Sequence, residues 1–189
     1  MKHILILTAA LLCPVFAGAK EPTALELPPD WFNFYFQPEF HFSEASEDHA
    51  EMAGVEIGVS LNERWDFGLN WRSLINDLDL NKAGVEDPGA GDLMTLAASV
   101  GFHLAPCNML DATLRLDVGG GILEVGDDES EIDFMLVEPS IDLGLNLTDT
   151  LVFGASLGYR WLDGSDSDLL QDKDLESLTG AVFLRFDEF

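Results

Sequence analysis

Basic residues are scarce: the chain carries 9 Lys and Arg against 35 Asp and Glu, a formal net charge of −26. So acidic a chain repels phosphate backbones, which excludes nucleic acid as a partner. Cysteine is almost absent, with 2 in 189 residues. Cys13 lies in an N-terminal apolar run, so Cys107 stands alone in the remainder and no disulfide framework can form. Shielding of that thiol is expected. Long apolar runs are missing as well. The uncharged run Ile4–Leu12 falls short of the ~20 residues a membrane helix needs, and no later stretch is long and apolar enough. No segment shows a helical hydrophobic period of a strength comparable to the two-residue alternation.

What is present begins with targeting. Lys2 and His3 precede the apolar run, Pro14 breaks it, and Ala17-Gly18-Ala19 supplies the small residues of a cleavage site. Residues 1–19 therefore read as a secretory signal peptide, cleaved after Ala19. Residues 20–30 carry three prolines and read as an extended leader. Residues 31–189 are long enough for one domain. After cleavage 8 basic residues face 35 acidic ones.

The remainder alternates. From Trp31 to Phe42 the even positions are Phe32, Phe34, Phe36, Pro38, Phe40 and Phe42, and the odd ones are Asn33, Tyr35, Gln37, Glu39 and His41. A strand sends successive side chains to opposite faces, so this segment has a phenylalanine face and a polar face. Seven more segments alternate in the same way, beginning near residues 51, 65, 94, 110, 134, 151 and 178. Tight turns are expected after strands two, four and six. Longer acidic loops are expected after strands one (43–50), three (76–92), five (126–131) and seven (163–176). The apolar phase shifts at Gly119–Gly121 and again near Pro139, which predicts bulges. Pro38 predicts a bulge or a break, because a closed barrel has no free edge for a missing N–H. The fold class is all-β: an eight-stranded antiparallel up-and-down transmembrane β-barrel, closed so that no edge is left.

Two patterns orient the faces. All five arginines fall in or beside strands, in phase with the polar positions: Arg64, Arg72, Arg115, Arg160 and Arg185. The planar guanidinium suits buried bidentate pairing with carboxylates. Arg72, Arg115, Arg160 and Arg185 with Glu39, Glu56, Asp66, Asp117 and Asp142 are the expected interior charge network. The aromatics gather at strand ends. Phe32, Trp65, Phe67, Phe102, Phe153 and Phe186 fall at one end, and Phe42, Trp71, Tyr159 and Trp161 at the other. Two aromatic girdles around an aliphatic band is the arrangement of a membrane barrel.

On this pattern, and on its C-terminal phenylalanine, the chain resembles the small eight-stranded outer-membrane barrels of Gram-negative bacteria, of the barrel-domain type of outer membrane protein A. The resemblance spans residues 31–189. It implies location in the outer membrane, with lipid and lipopolysaccharide as partners and long loops at the cell surface. In that family the last strand is in phase with the terminal aromatic, whereas here the phase ends at Phe186 and Phe189 is offset.

The expected role is structural or surface-interactive, as a monomer, without enzyme activity and without a cofactor. A barrel of eight strands is filled by its own side chains, so no wide pore is expected. The alternatives are a small lipid-modifying enzyme, for which His49 and His41 are the candidate bases, a narrow channel, and a soluble lipocalin-like carrier with its aromatics inside. Asp77-x-Asp79-x-Asn81 begins like an EF-hand, but Lys82 and Pro88 stand where Gly and Glu are required. The acidic residues of 163–176 suit weak calcium binding at most.

Overall fold

The computed structural model of the chain describes residues 31–45, 48–76, 91–104, 109–125, 130–163 and 176–187. Within them lie eight strands: β1 Phe32–Ala45, β2 Asp48–Leu61, β3 Trp65–Leu74, β4 Gly91–His103, β5 Leu110–Val125, β6 Ser130–Thr148, β7 Leu151–Asp163 and β8 Ser177–Asp187. Each pairs antiparallel with the next, and β8 returns to β1 to close the barrel. This is the up-and-down architecture that the alternation predicts. The segments expected as signal peptide and leader, and Cys107, lie outside the described residues.

The alternation is carried into most of the wall. Large apolar side chains point outward and are exposed, among them Ile57, Leu96, Leu143 and Leu157 at 56–59%. Polar and charged groups point inward. A soluble carrier requires the reverse, so the lipocalin-like alternative is overturned: the aromatic face is the outer face.

One end of the barrel holds the short connections 62–64, 104–109 and 149–150, and is called the turn end below. The β2–β3 turn places Asn62 and Glu63 at φ of 55° and 54°. Its closing bond runs from Arg64 N to Leu61 O at 3.1 Å. Arg64 sits in this turn and is exposed, not on the inner wall where its phase had placed it.

At the opposite, loop end two expectations are corrected. The segment 43–50 is mostly strand: β1 continues to Ala45, β2 begins at Asp48, and Glu44 pairs with His49. The β5–β6 connection is likewise confined to 126–129. Only 75–90 and 164–176 are long. Polar residues did not end these strands, because ladder bonds do not require an apolar side chain on either face.

The predicted bulges at Gly119–Gly121 and Pro139 are absent. β5 holds one register with β4 and one with β6 along its whole length, including Leu116 opposite Pro139. The apolar phase changes because the interior changes, not the backbone. Leu123, Phe134 and Leu136 point inward and are buried. Gly119 and Gly121 also face in, where side chains would collide: a Cβ on Gly119 would lie 2.5 Å from Ala97 Cα, and one on Gly121 2.7 Å from Phe134 Cε2. The one register shift among the described pairs falls between Asn146 and Thr148, beside the β6–β7 turn.

Pro38 pairs in continuous register with Val55 of β2. Pairing with β8 stops after Phe36 and resumes at Glu39 in the same register. Pro139 does the same on β6, where pairing with β7 skips from Val137 to Ser140. Each proline therefore opens one ladder and leaves the other intact. The break expected at Pro38 is present; a bulge is not.

Candidate functional site in the barrel interior

The nine residues singled out as an interior network all have buried side chains on the inner wall. They gather around three arginines, with the fourth joined through a shared carboxylate. Arg72 on β3 sends its three nitrogens to three carboxylates: Nε to Glu39 at 2.9 Å, Nη2 to Asp117 at 2.6 Å and Nη1 to Glu138 at 3.3 Å. Arg160 on β7 donates from Nε to Glu138 at 2.9 Å. His41 Nε2 lies 3.2 Å from Glu39, and Asn70 Nδ2 donates to the same carboxylate at 2.8 Å. Such forks use the fixed geometry of guanidinium to hold strands that are far apart in sequence.

Nearer the turn end, Arg115 on β5 joins Glu56 of β2 and, at 2.7 Å, Asp142 of β6. Glu56 also accepts from the Tyr35 hydroxyl and, at 2.8 Å, from Ser99. Arg185 on β8 binds Asp66 of β3 and, at 2.8 Å, Asp187, while its guanidinium stacks 4.0 Å above the Tyr35 ring. His103 closes this group between Asp66 at 3.0 Å and Asp111 at 2.6 Å.

Glu138, which joins Arg72 to Arg160, was missed in the sequence because the phase change at Pro139 assigned it no face. Reading β6 in a single even phase would have found it. Tyr35 and Asn70 were on the polar face but carried no charge to mark them. Asp142 fits its expected place, with further bonds from Ser156 at 2.6 Å.

Two layers flank this network. Toward the loop end, Ala50, Met52, Leu93, Ala97, Leu123, Phe134, Leu136 and Leu162 pack into an apolar plug inside the barrel. Toward the turn end, the interior opens into a cup of about 650 Å³. Within the network lies a void of about 10 Å³, walled among others by Gln37, Glu39, Arg72 and Glu138. That is the room of about one water. The polar interior is thus open at one end and stoppered at the other.

The candidate bases do not assemble. His41 points inward and His49 outward and exposed, on opposite faces of the wall. Thr113 Oγ1 lies 3.1 Å from His103 Nδ1, an arrangement that resembles a nucleophile beside its base. Both ring nitrogens already face carboxylates. An ionised carboxylate only accepts, so neither nitrogen is left to take the Thr113 proton. Among the described residues no group of three or more His, Cys, Asp or Glu is placed to hold a metal. The EF-hand-like start at 77–81, and Asp166, Asp168, Asp172 and Asp174, lie outside the described residues.

The aromatic residues expected as girdles fall at the two ends of the outer wall. At the turn end Trp65 lies 4.8 Å from Phe102 and 6.5 Å from Phe67, and Phe36 lies 6.4 Å from Phe186. Phe32 and Phe153 are exposed at the same end. At the loop end Tyr159 meets Trp161 at 5.1 Å, and Phe40 meets Phe42 at 4.9 Å, with Trp71 also exposed. Phe186 is paired within β8, opposite Leu151 and Phe36, so it belongs to the last strand. Phe189 lies outside the described residues.

A closed eight-stranded barrel with an apolar outer wall and a salt-bridged interior defines a class, the small up-and-down barrels known from bacterial outer membranes. Solved structures bear out that fold. Neisserial surface protein A superposes with a TM-score of 0.56 at 11% identity, over 83% of this chain and 97% of that one. Ail, the attachment invasion locus protein of Yersinia pestis, gives 0.53 at 10%, over 82% and 97%. The N-terminal barrel domain of Pseudomonas aeruginosa OprF gives 0.54 at 14%, over 81% and 96%. No protein-family profile matches the sequence, and no curated protein sequence matches it.

Proposed function

We propose that this protein resides in the bacterial outer membrane as a structural or surface-interacting barrel, not as a pore or an enzyme. The observation that carries this reading is the pairing of an exposed apolar outer wall with a buried, ion-paired interior. Exposed apolar area on this scale suits lipid and not water. The girdle residues Phe32, Trp65, Phe67, Phe102, Phe153 and Phe186 then sit at the periplasmic interface. Phe42, Trp71, Tyr159 and Trp161 sit at the outer one. The turn end faces the periplasm and the long connections 75–90 and 164–176 face outward. Ail and Neisserial surface protein A, named for attachment and for the surface, support this general kind. The apolar plug and the Arg72 knot argue against conduction.

The protein should extract only with detergent, show β-rich circular dichroism, and shift its gel mobility on heating. Solubility without detergent would refute the reading. Planar-bilayer recordings should show no discrete conductance.

A partner follows from the outer rim. Asp92 and Glu124 stand directly opposite on adjacent strands and point outward, with Glu51, Asp133 and Asp163 exposed near the same end. Like charges in register repel. Divalent cations bridging this rim to the anionic phosphates of lipopolysaccharide would relieve that repulsion, and calcium would then bind weakly and only in the presence of such lipid. Calorimetry of nanodisc-embedded protein, with and without lipopolysaccharide, tests it. Heat of binding that is identical in both removes the bridge.

A further inference from the structure

Two seams of the wall carry the same gap. By the register on either side, the positions skipped between β1 and β8 are Gln37 opposite Arg185 and Pro38 opposite Leu184. Those skipped between β6 and β7 are Glu138 opposite Arg160 and Pro139 opposite Tyr159. In each gap the proline lacks the N–H that a ladder bond needs. In each, the residue before the proline is buried on the inner wall and stands opposite a buried arginine.

The two gaps are closed differently. Across β6–β7, Arg160 Nε donates to Glu138 at 2.9 Å, at the register position the ladder skips. Ser156 adds a bond to Asp142 at 2.6 Å on the same seam. A hydrogen bond between ionised groups is worth more than the neutral ladder bond it replaces. Across β1–β8 the matching position holds Gln37, and Arg185 is engaged elsewhere. Its Nε donates to Asp187 at 2.8 Å, its Nη1 to Asp66, and its Nη2 to Ser60 at 2.6 Å and Asp66 at 3.3 Å. Gln37 Oε1 has no hydrogen-bond partner among the described residues. The side chains that meet across this seam do so through rings. The Arg185 guanidinium lies 4.0 Å above Tyr35, and Phe36 lies 6.4 Å from Phe186.

Two further features weaken β1–β8. Among the described residues it is the ladder with the fewest register pairs. The void within the network is also walled by Gln37 and Phe183, which come from the two strands of this seam. Side chains that line a void forfeit dispersion contacts there.

We infer that the barrel wall opens locally along the β1–β8 seam at Gln37 and Pro38, while the Glu138–Arg160 pair latches the equivalent gap between β6 and β7. Local opening belongs to the least-bonded segments of a fold. Here it gives water a lateral route to the buried network behind Gln37. The device is separate from the surface role, because it lies midway along β1 and uses neither the long connections nor the acidic rim.

The test is residue-resolved hydrogen exchange by NMR on the full chain in detergent micelles. Asp187 N bonds to Thr150 O. Alternation along the β7–β8 pair then turns the Leu184 N–H toward Pro38 and the Tyr159 N–H toward Pro139. The two amides are equivalent reporters of the two gaps. With intrinsic rates removed, Leu184 should exchange roughly tenfold faster than Tyr159, the worth of one charge-assisted bond. Pro38→Ala restores a donor and should slow Leu184 roughly fivefold, the worth of one neutral bond. Arg160→Met removes the latch and should speed Tyr159 roughly tenfold. It should leave Ala98, which sits in uninterrupted ladders on both sides, unchanged. Heat-shifted gel mobility confirms that each variant is folded. Equal exchange at Leu184 and Tyr159 in the parent overturns the proposal. So does a folded Pro38→Ala variant in which Leu184 exchanges as before. Acceleration of Ala98 as large as that of Tyr159 in Arg160→Met also overturns it, since general destabilisation would then replace the latch as the cause.

Discussion

The two halves of the interior are built by the same strands in the same phase, yet they are chemically opposite. On β5, Leu123 belongs to the plug, while Asp117 and Arg115 belong to the charged network. All three share one inner face. On β6 the succession is Phe134, Leu136, Glu138 and Asp142, again on one face. Parity fixes which way a side chain points. It does not fix what that direction contains. One half is held by dispersion contacts and the other by ion pairs, and they should fail differently when broken.

The largest effect is expected in the charged half. Arg72→Ala removes the shared cation of Glu39, Asp117 and Glu138, all buried. Leaving buried charges unpaired costs about 3–5 kcal/mol. Urea unfolding in lipid vesicles, followed by tryptophan fluorescence, should show that loss. Replacing Arg72, Glu39, Asp117, Glu138 and Arg160 together by apolar side chains of similar size should recover most of it, because no partner of Glu138 is then left buried and unpaired. A fivefold variant as unstable as Arg72→Ala would show that the loss does not come from unpaired buried charge.

Truncation in the plug should be milder and should lack this rescue. Leu136→Ala, at 1% exposure, should lose about 2–4 kcal/mol by the same assay. The same truncation on the outer wall at Leu143, 59% exposed, should lose far less in detergent. Equal losses would show that inner and outer apolar groups are not distinguished.

Smaller again is Gly119→Ala. Its new methyl would press on the Ala97 backbone and Cβ, where the plug meets the network. Overpacking of this kind costs about 1–3 kcal/mol. The smallest effect should be a gain. Glu63 holds a left-handed conformation at φ 54°, which glycine adopts freely. Glu63→Gly should add roughly 0.5–1 kcal/mol, or slow unfolding correspondingly. Destabilisation there would point to a role for the Glu63 carboxylate in the rim of the cup.

Most of the strand pattern was legible because the outer and inner faces are opposite in polarity over most of the wall. The reading went astray where that contrast vanished. In Gly119–Leu123 and at Phe134–Leu136 the inner wall turns apolar while the outer wall stays largely apolar. Alternation then carries no signal, and a change of contents looks like a change of phase. Glu138 was lost for that reason. At Ser43–Ala50 both faces are polar, and strand was read as loop for the mirror-image reason. The arginines were legible by type and phase. Their partners were not, since Arg72 meets Asp117 across 45 positions and Glu138 across 66. Nothing local pairs them.

By itself the sequence determined the all-β class, eight strands and the outward facing of the apolar wall, because a two-residue period is a local property of the extended chain. Closure was expected from the sequence, but the register of β1 against β8 was decided only in three dimensions. So were the sharing of carboxylates among arginines from different strands and the division of the interior into plug, network and cup. Those depend on register and on which strands stand across the barrel from one another, and these are relations between distant parts of the chain.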